Sequence, residues 1–167
     1  VIGIIVAIVV LLYMLAIHPS CRRAVREAKR EVRYYAHRGL YDNNSDAPEN
    51  SLRAFALAAE AGYGIELDVR LTKDGVPVVF HDPVLERMCG CAGSIEELNA
   101  TQTDALRLLG TDQKVPRLQE VLELVAGRVP LLIEYKMEQM DATVCVRAER
   151  LLNSYPGEYC MESFHPF

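Results

Sequence analysis

Along this chain the spacing of apolar residues changes period several times, and each change marks an element. Residues 1–17 read VIGIIVAIVVLLYMLAI, with no charge and no break in their apolar character. A helix has no need to be apolar all round unless it is deeply buried or lies in lipid. As a helix these residues would span about 25 Å, near the lower limit for crossing a bilayer. The pattern predicts a transmembrane anchor over residues 1–18. A signal peptide is the main rival, but no small-x-small cleavage pattern follows. The start on Val1 rather than Met leads us to expect residues ahead of the anchor. Arg22, Arg23, Arg26, Lys29, Arg30 and Arg33 come next, and we read residues 19–33 as a charged helical neck. Basic flanks favour the cytoplasmic side, so the expectation is a single-pass membrane protein whose domain faces the cytoplasm.

From Tyr34 onward, strand and helix patterns alternate. Residues 34–37 read as a short strand. Asn50 or Ser51 can cap a helix whose apolar residues Leu52, Phe55, Ala56 and Ala59 recur at helical spacing, with Gly62 and Gly64 ending it. Ile65, Leu67, Val69 and Leu71 then alternate with Glu66, Asp68 and Arg70, which is strand period. Asp74-Gly75 before a second extended run, residues 77–80, signals a hairpin. A two-residue turn would pair Lys73 with Val76, and so Val69 with Phe80 and Asp68 with His81; a three-residue loop would shift this by one. Residues 84–115 are less regular, with Ser94-x-x-Glu97 as a possible capping box. Residues 116–127 read as a helix, 131–136 as a strand, 141–152 as a helix and 159–164 as a strand. This alternation predicts an α/β fold with a mainly parallel sheet.

Composition changes the picture little. With 167 residues, half of them hydrophobic, and a net charge of -5, the chain suits one domain behind the anchor and offers no charge-driven case for nucleic acid. Its cysteines do not form a disulfide framework: Cys89 and Cys91 are separated by one residue, which strains a mutual bridge. A cysteine metal site would need a second close pair, and Cys145 and Cys160 read as ordinary apolar residues.

The titratable residues gather where parallel strands end, the usual place for sites in α/β folds. His37 and Arg38 close the first strand. Glu66 and Asp68 share a face of the second, and Glu134 and Lys136 share a face of the strand at 131–136. His81 and Asp82 follow the hairpin. Acids on one strand face repel unless a cation neutralises them, and Glu66, Asp68 and Glu134 make a plausible oxygen donor set for Mg²⁺ or Ca²⁺. The bland alternative is a solvated polar strand face. Two histidines beside a cation suggest general acid and base, while Arg38 and Lys136 suit an anionic group such as a phosphate. His18 and His165 lack such neighbours.

Taken together, "AHRG", "APENSLRAFALAAEAGYGIELDVRLTKDGVPVVFHDPVLER" and "LLIEYK" resemble the glycerophosphodiester phosphodiesterases, of the phospholipase C-like phosphodiesterase superfamily, from residue 34 to the last. The resemblance implies a TIM-barrel-like fold and metal-dependent hydrolysis of glycerophosphodiesters to an alcohol and sn-glycerol 3-phosphate. By motif, it makes His37 and His81 the acid-base pair, Glu66, Asp68 and Glu134 metal ligands, and Arg38 and Lys136 phosphate contacts. Glu49 matches a position near the site and is expected to orient Arg38 or support the metal shell. Residues 84–115 fall where the family carries an insertion. A route proposed for the family has the glycerol hydroxyl attack phosphorus, giving a cyclic phosphate; the residues do not distinguish it from direct attack by water. A full barrel takes roughly 250 residues, so the resemblance leads us to expect only its N-terminal half to two-thirds over residues 34–167. The rival functions are a lysophospholipase D- or sphingomyelinase D-like enzyme acting on lipid head groups, and a non-catalytic membrane-anchored binding module.

Overall fold

The structure, a computed structural model, describes residues 2–17, 34–136 and 142–164. The chain divides into two units, residues 1–32 and 33–167. In the first, helix α1 (Ile2–Ile17) is 16 residues long, and its residues 3–15 are exposed all round. Among the described residues no helix is long and apolar enough to cross a membrane. The neck predicted over residues 19–33 lies outside the described residues, as do His18 and His165.

The second unit follows the predicted alternation: β1 (Tyr35–Ala36), α2 (Leu52–Glu60), β2 (Gly64–Leu71), β3 (Pro77–Val79), α3 (Glu86–Cys89), α4 (Ala100–Thr103), α5 (Leu118–Val125), β4 (Leu131–Tyr135), α6 (Thr143–Leu152) and β5 (Tyr159–Glu162). Single 3₁₀ turns at Ile95–Glu97 and Leu108–Gly110 complete it. The sheet runs β1-β2-β4-β5, all neighbours parallel. Val69 pairs with Tyr135 of β4 and with Val79 of β3, so β3 lies antiparallel along the edge of β2 that the two-residue β1 leaves open.

Ser51 caps α2 as its sequence suggested, its hydroxyl accepting from the Ala54 amide at 3.1 Å. Of the expected stripe, Leu52, Phe55, Ala56 and Ala59, only Phe55 is fully buried, with Leu52 and Ala59 partly buried against the core, while Ala54 and Ala58 are buried as well. The chain before the helix covers Ala54: the Leu40 amide donates to its carbonyl, and Gly39 runs close against Ala54 and Phe55.

The hairpin differs from the two-residue expectation. Val69 pairs with Val79 and Arg70 with Val78, so the loop has three residues, Lys73, Asp74 and Gly75. The Thr72 amide donates to the Val76 carbonyl at 3.0 Å, and Gly75 takes φ 78°, the left-handed conformation that closes such loops. Asp68 therefore stands level with Phe80, whose amide it accepts at 2.9 Å, and His81 is not its cross-strand partner.

Both faces of β2 are buried. Ile65, Leu67 and Val69 join Phe55, Leu118, Val121, Leu131, Ile133 and Ala148 in the main core, between the sheet and its helices. Glu66, Asp68 and Arg70, on the opposite face, are 5 %, 0 % and 3 % exposed, so the reading of a solvated polar face fails. Residues 84–115 build a second small core, Leu85, Met88, Ile95 and Leu108 packing on Val78 and Phe80. Cys89, Cys91, Cys145 and Cys160 are free thiols.

Candidate active site

Strand register assembles the acids. Asp68 of β2 pairs with Glu134 of β4, and Glu66 lies two residues along the same strand face. Carboxylate oxygens of the three approach within 4.8 Å of one another. All three are buried. Burial, together with the charges of Asp68 and Glu134, pushes the Glu66 carboxyl up to about 7, although the Arg38 backbone N–H opposes this. Three carboxylates so close are held apart in energy only by protons or cations. Lys136 Nζ supplies one cation, donating to Glu134 Oε1 at 2.6 Å and lying 3.1 Å from Asp68 Oδ1. That last contact falls outside hydrogen-bonding geometry, so Asp68 Oδ1 is buried without a hydrogen-bond partner. A hard divalent ion fits this oxygen set.

The end of β1 supplies the next layer. Ala36 pairs with Ile65, which brings His37 level with Glu66. His37 Nε2 is 3.9 Å from Glu66 Oε2, and its ring is 65 % exposed. Arg38 turns into the left-handed region, φ 57°, a conformation that costs a non-glycine residue roughly 1–3 kcal/mol. There its amide donates to Glu66 Oε2 at 2.8 Å and its Nη1 to Glu49 Oε1 at 2.8 Å. Arg38 Nε sits 3.5 Å from Asp68 Oδ2 and makes no hydrogen bond, leaving a donor aimed into the acidic cluster. Gly39 follows with φ 84°, and a Cβ there would lie 2.9 Å from the Ala54 backbone carbon. This close approach to α2 explains the glycine of His-Arg-Gly.

His81 is held elsewhere than the hairpin argument placed it. Arg70, on the acidic face of β2, donates to the His81 carbonyl from Nε at 3.1 Å and Nη2 at 2.9 Å. The His81 ring meets Asp82 through Nδ1, 2.8 Å from Oδ1. Hydrogen bonding from Arg87, against partial burial, lowers Asp82 to about 2, so this carboxylate only accepts. An acceptor carboxylate at this distance favours the ring tautomer with its proton on Nδ1.

Glu49 is 3 % exposed. Burial alone would raise its carboxyl, but hydrogen bonds from Arg87, Asn43 and Arg38 outweigh it and hold it at about 2. The sequence motifs pointed to Glu49 beside Arg38, but not to Arg87 or Asn43. Arg87 reaches it from α3 at 2.7 Å. Asn50, read only as a possible helix cap, instead donates from Nδ2 to Asp68 Oδ2 at 2.8 Å and also adopts a positive φ, 56°. The neighbouring Glu49 in Pro-Glu-Asn was the signal that could have drawn attention to it.

The comparisons with known proteins agree with this geometry. Residues 37–158 match the model of the "Glycerophosphoryl diester phosphodiesterase family". The chain is 32 % identical over 152 residues to human "Glycerophosphodiester phosphodiesterase 1", covering 84 % of this chain and 44 % of that protein. It is 38 % identical over 100 residues to a glycerophosphodiester phosphodiesterase of Caldanaerobacter subterraneus, covering 56 % of this chain and 40 % of the relative. The chain thus spans less than half the length of these curated relatives. Among solved structures, it resembles an Oleispira antarctica phosphodiesterase in complex with the product sn-glycerol-3-phosphate, with TM-score 0.72 at 27 % identity over 81 % of this chain and 58 % of that one. A glycerophosphodiester phosphodiesterase from Agrobacterium tumefaciens gives TM-score 0.67 at 33 % identity, over 80 % and 58 %. The matched stretch opens on His37 and contains the three converging acids and both anchored histidine corners, and on that match the chain belongs to the glycerophosphoryl diester phosphodiesterase family.

Proposed function

We propose that the whole protein hydrolyses glycerophosphodiesters to an alcohol and sn-glycerol 3-phosphate in a reaction that depends on Mg²⁺ or Ca²⁺. The observation that carries this reading is the meeting of Glu66, Asp68 and Glu134 within 4.8 Å, beside His37, Arg38 and Lys136, in a member of this family. The orphaned Asp68 Oδ1 and the raised Glu66 carboxyl support a cation held by those three acids. When bound, the cation supplies charge to offset what develops on the phosphate. Arg38 Nε and Lys136 Nζ bind phosphate oxygens from the two sides of the acidic cluster. His37 and His81 move the protons, one taking it from the attacking water, or from a glycerol hydroxyl whose cyclic phosphate water then opens, and the other giving it to the leaving alcohol. His81 does so through Nε2, its Nδ1 being held by Asp82.

Residues 1–18 we read as a membrane anchor; the exposed apolar surface of residues 3–15 supports this. A membrane-held enzyme could also act on lysolipid head groups, so release from lysolipid and from glycerophosphocholine are measured side by side. The test of the main reading is glycerophosphocholine hydrolysis by the whole protein, with and without a chelator, beside His37→Ala. The expected result is turnover that the chelator abolishes and that His37→Ala largely lacks. Full activity in that variant, or indifference to the chelator, would sink the reading.

A further inference from the structure

The two corners of the site are joined by a side chain from outside the strands. Arg87 sits on the four-residue helix α3, in the segment 84–115. Its guanidinium grips two carboxylates at once. Nε donates to Asp82 Oδ2 at 2.6 Å and Nη2 to Asp82 Oδ1 at 2.8 Å. Nη1 donates to Glu49 Oε2 at 3.0 Å and Nη2 to Glu49 Oε1 at 2.7 Å. Each carboxylate in turn holds one working group: Asp82 Oδ1 meets His81 Nδ1 at 2.8 Å, and Glu49 Oε1 accepts from Arg38 Nη1 at 2.8 Å. Asn43 Nδ2 gives Glu49 Oε2 a further bond at 2.9 Å.

We propose that Arg87 is a positioning residue that locks Asp82 to Glu49 and thereby fixes the His81 ring relative to the Arg38 guanidinium. The inference rests on the reading of His81 and Arg38 as groups that act on substrate. Two features carry it. Only a planar fork with donors on both edges can serve two carboxylates in this way, and a lysine cannot. Asp82 and Glu49 would also repel each other without a cation between them. Arg87 bonds carboxylates that carry the site's groups, and it acts through them. On this view the segment 84–115 is more than a cover over the sheet, because its first helix sets the geometry of proton transfer.

The test uses the whole protein and Arg87→Ala. In the wild type, ¹⁵N spectra of the His81 ring should show a single tautomer, protonated at Nδ1. In Arg87→Ala, Asp82 loses two of its hydrogen bonds and with them its fixed orientation, so it turns away from Nδ1 and the ring should exchange between tautomers. The turnover number kcat should fall about 10- to 100-fold, the usual cost of losing a supporting partner, and KM should rise as Arg38 loosens. Arg87→Lys should restore only part of each. A fall in kcat with the His81 tautomer unmoved would make Arg87 merely structural and overturn the proposal, as would unchanged kcat. If Arg87→Ala does not fold, Arg87→Gln, which keeps a donor and most of the length, is read in the same way. Full activity in His81→Ala would defeat the acid-base reading by itself, while the tautomer measurement would still judge Arg87.

Discussion

The two histidine corners of the site are built by different means. His37 takes its place from the backbone: it follows a two-residue strand, its ring is 65 % exposed, and its Nε2 lies 3.9 Å from Glu66 Oε2. The turn that aims it is Arg38 at φ 57° followed by Gly39 at φ 84°. His81 takes its place from side chains: its ring is 30 % exposed and fixed on Asp82, and its carbonyl is held by Arg70. One corner is therefore vulnerable to changes in backbone freedom, the other to the loss of single polar partners.

The largest effect should come from the rings themselves. His37→Ala and His81→Ala should each lower kcat by about a hundred- to ten-thousand-fold, the range for a positioned acid or base; initial rates on glycerophosphocholine give the ratio. Next is Gly39→Ala, which attacks the His37 corner through the backbone. Its Cβ would meet Ala54 at 2.9 Å in a left-handed conformation. We expect about 1–3 kcal/mol lost from stability and up to about a hundredfold from kcat/KM as His37 shifts, read from denaturant unfolding and steady-state kinetics. Asp82→Asn attacks the His81 corner through one side chain. It should cost about 10- to 100-fold in kcat with a smaller loss of unfolding stability than Gly39→Ala. A similar loss of stability in both variants would erase the distinction between the corners.

The smallest effect is in acid. Glu49 and Asp82 are each lowered to about 2 from ordinary values of 4.5 and 3.8. A carboxyl whose folded pKa is depressed adds stability that is fully present above its unfolded pKa and is lost as pH falls through the folded one. The stability these two contribute should thus be intact above about pH 4.5 and fade toward pH 2. In Arg87→Ala that decline should be shallower, because the donor common to both carboxylates is gone. Denaturant unfolding at several pH values between 2 and 5 checks the slope.

Much of the fold could be read from local pattern. The alternation of Ile65, Leu67 and Val69 with Glu66, Asp68 and Arg70 placed the strand and its two faces, and Ser51 placed the start of α2, because these signals depend on near neighbours. The register of the hairpin could not be read so locally. Asp74 accepts from Thr72 Oγ1 at 2.6 Å and from the Ala100 amide at 2.9 Å, and the Lys73 amide donates to the Leu98 carbonyl. The loop's shape is therefore set by a segment some 25 residues further on. The site divides in the same way. Its acids and histidines stand in short motifs, and strand register brings the acids together. Asn50 reaches Asp68 across 18 residues and Arg87 reaches Glu49 across 38, and only folding reveals these contacts.

On the function proposed above, three buried carboxylates, Glu66, Asp68 and Glu134, hold the cation on which phosphodiester cleavage depends. The most direct measurement is release of sn-glycerol 3-phosphate from glycerophosphocholine by the chelated whole protein as Mg²⁺ or Ca²⁺ is restored, in wild type and in Glu66→Gln. Activity should return with added cation in the wild type and stay absent in Glu66→Gln across the titration. Equal recovery in both, or release from the chelated wild type without added cation, would contradict that function.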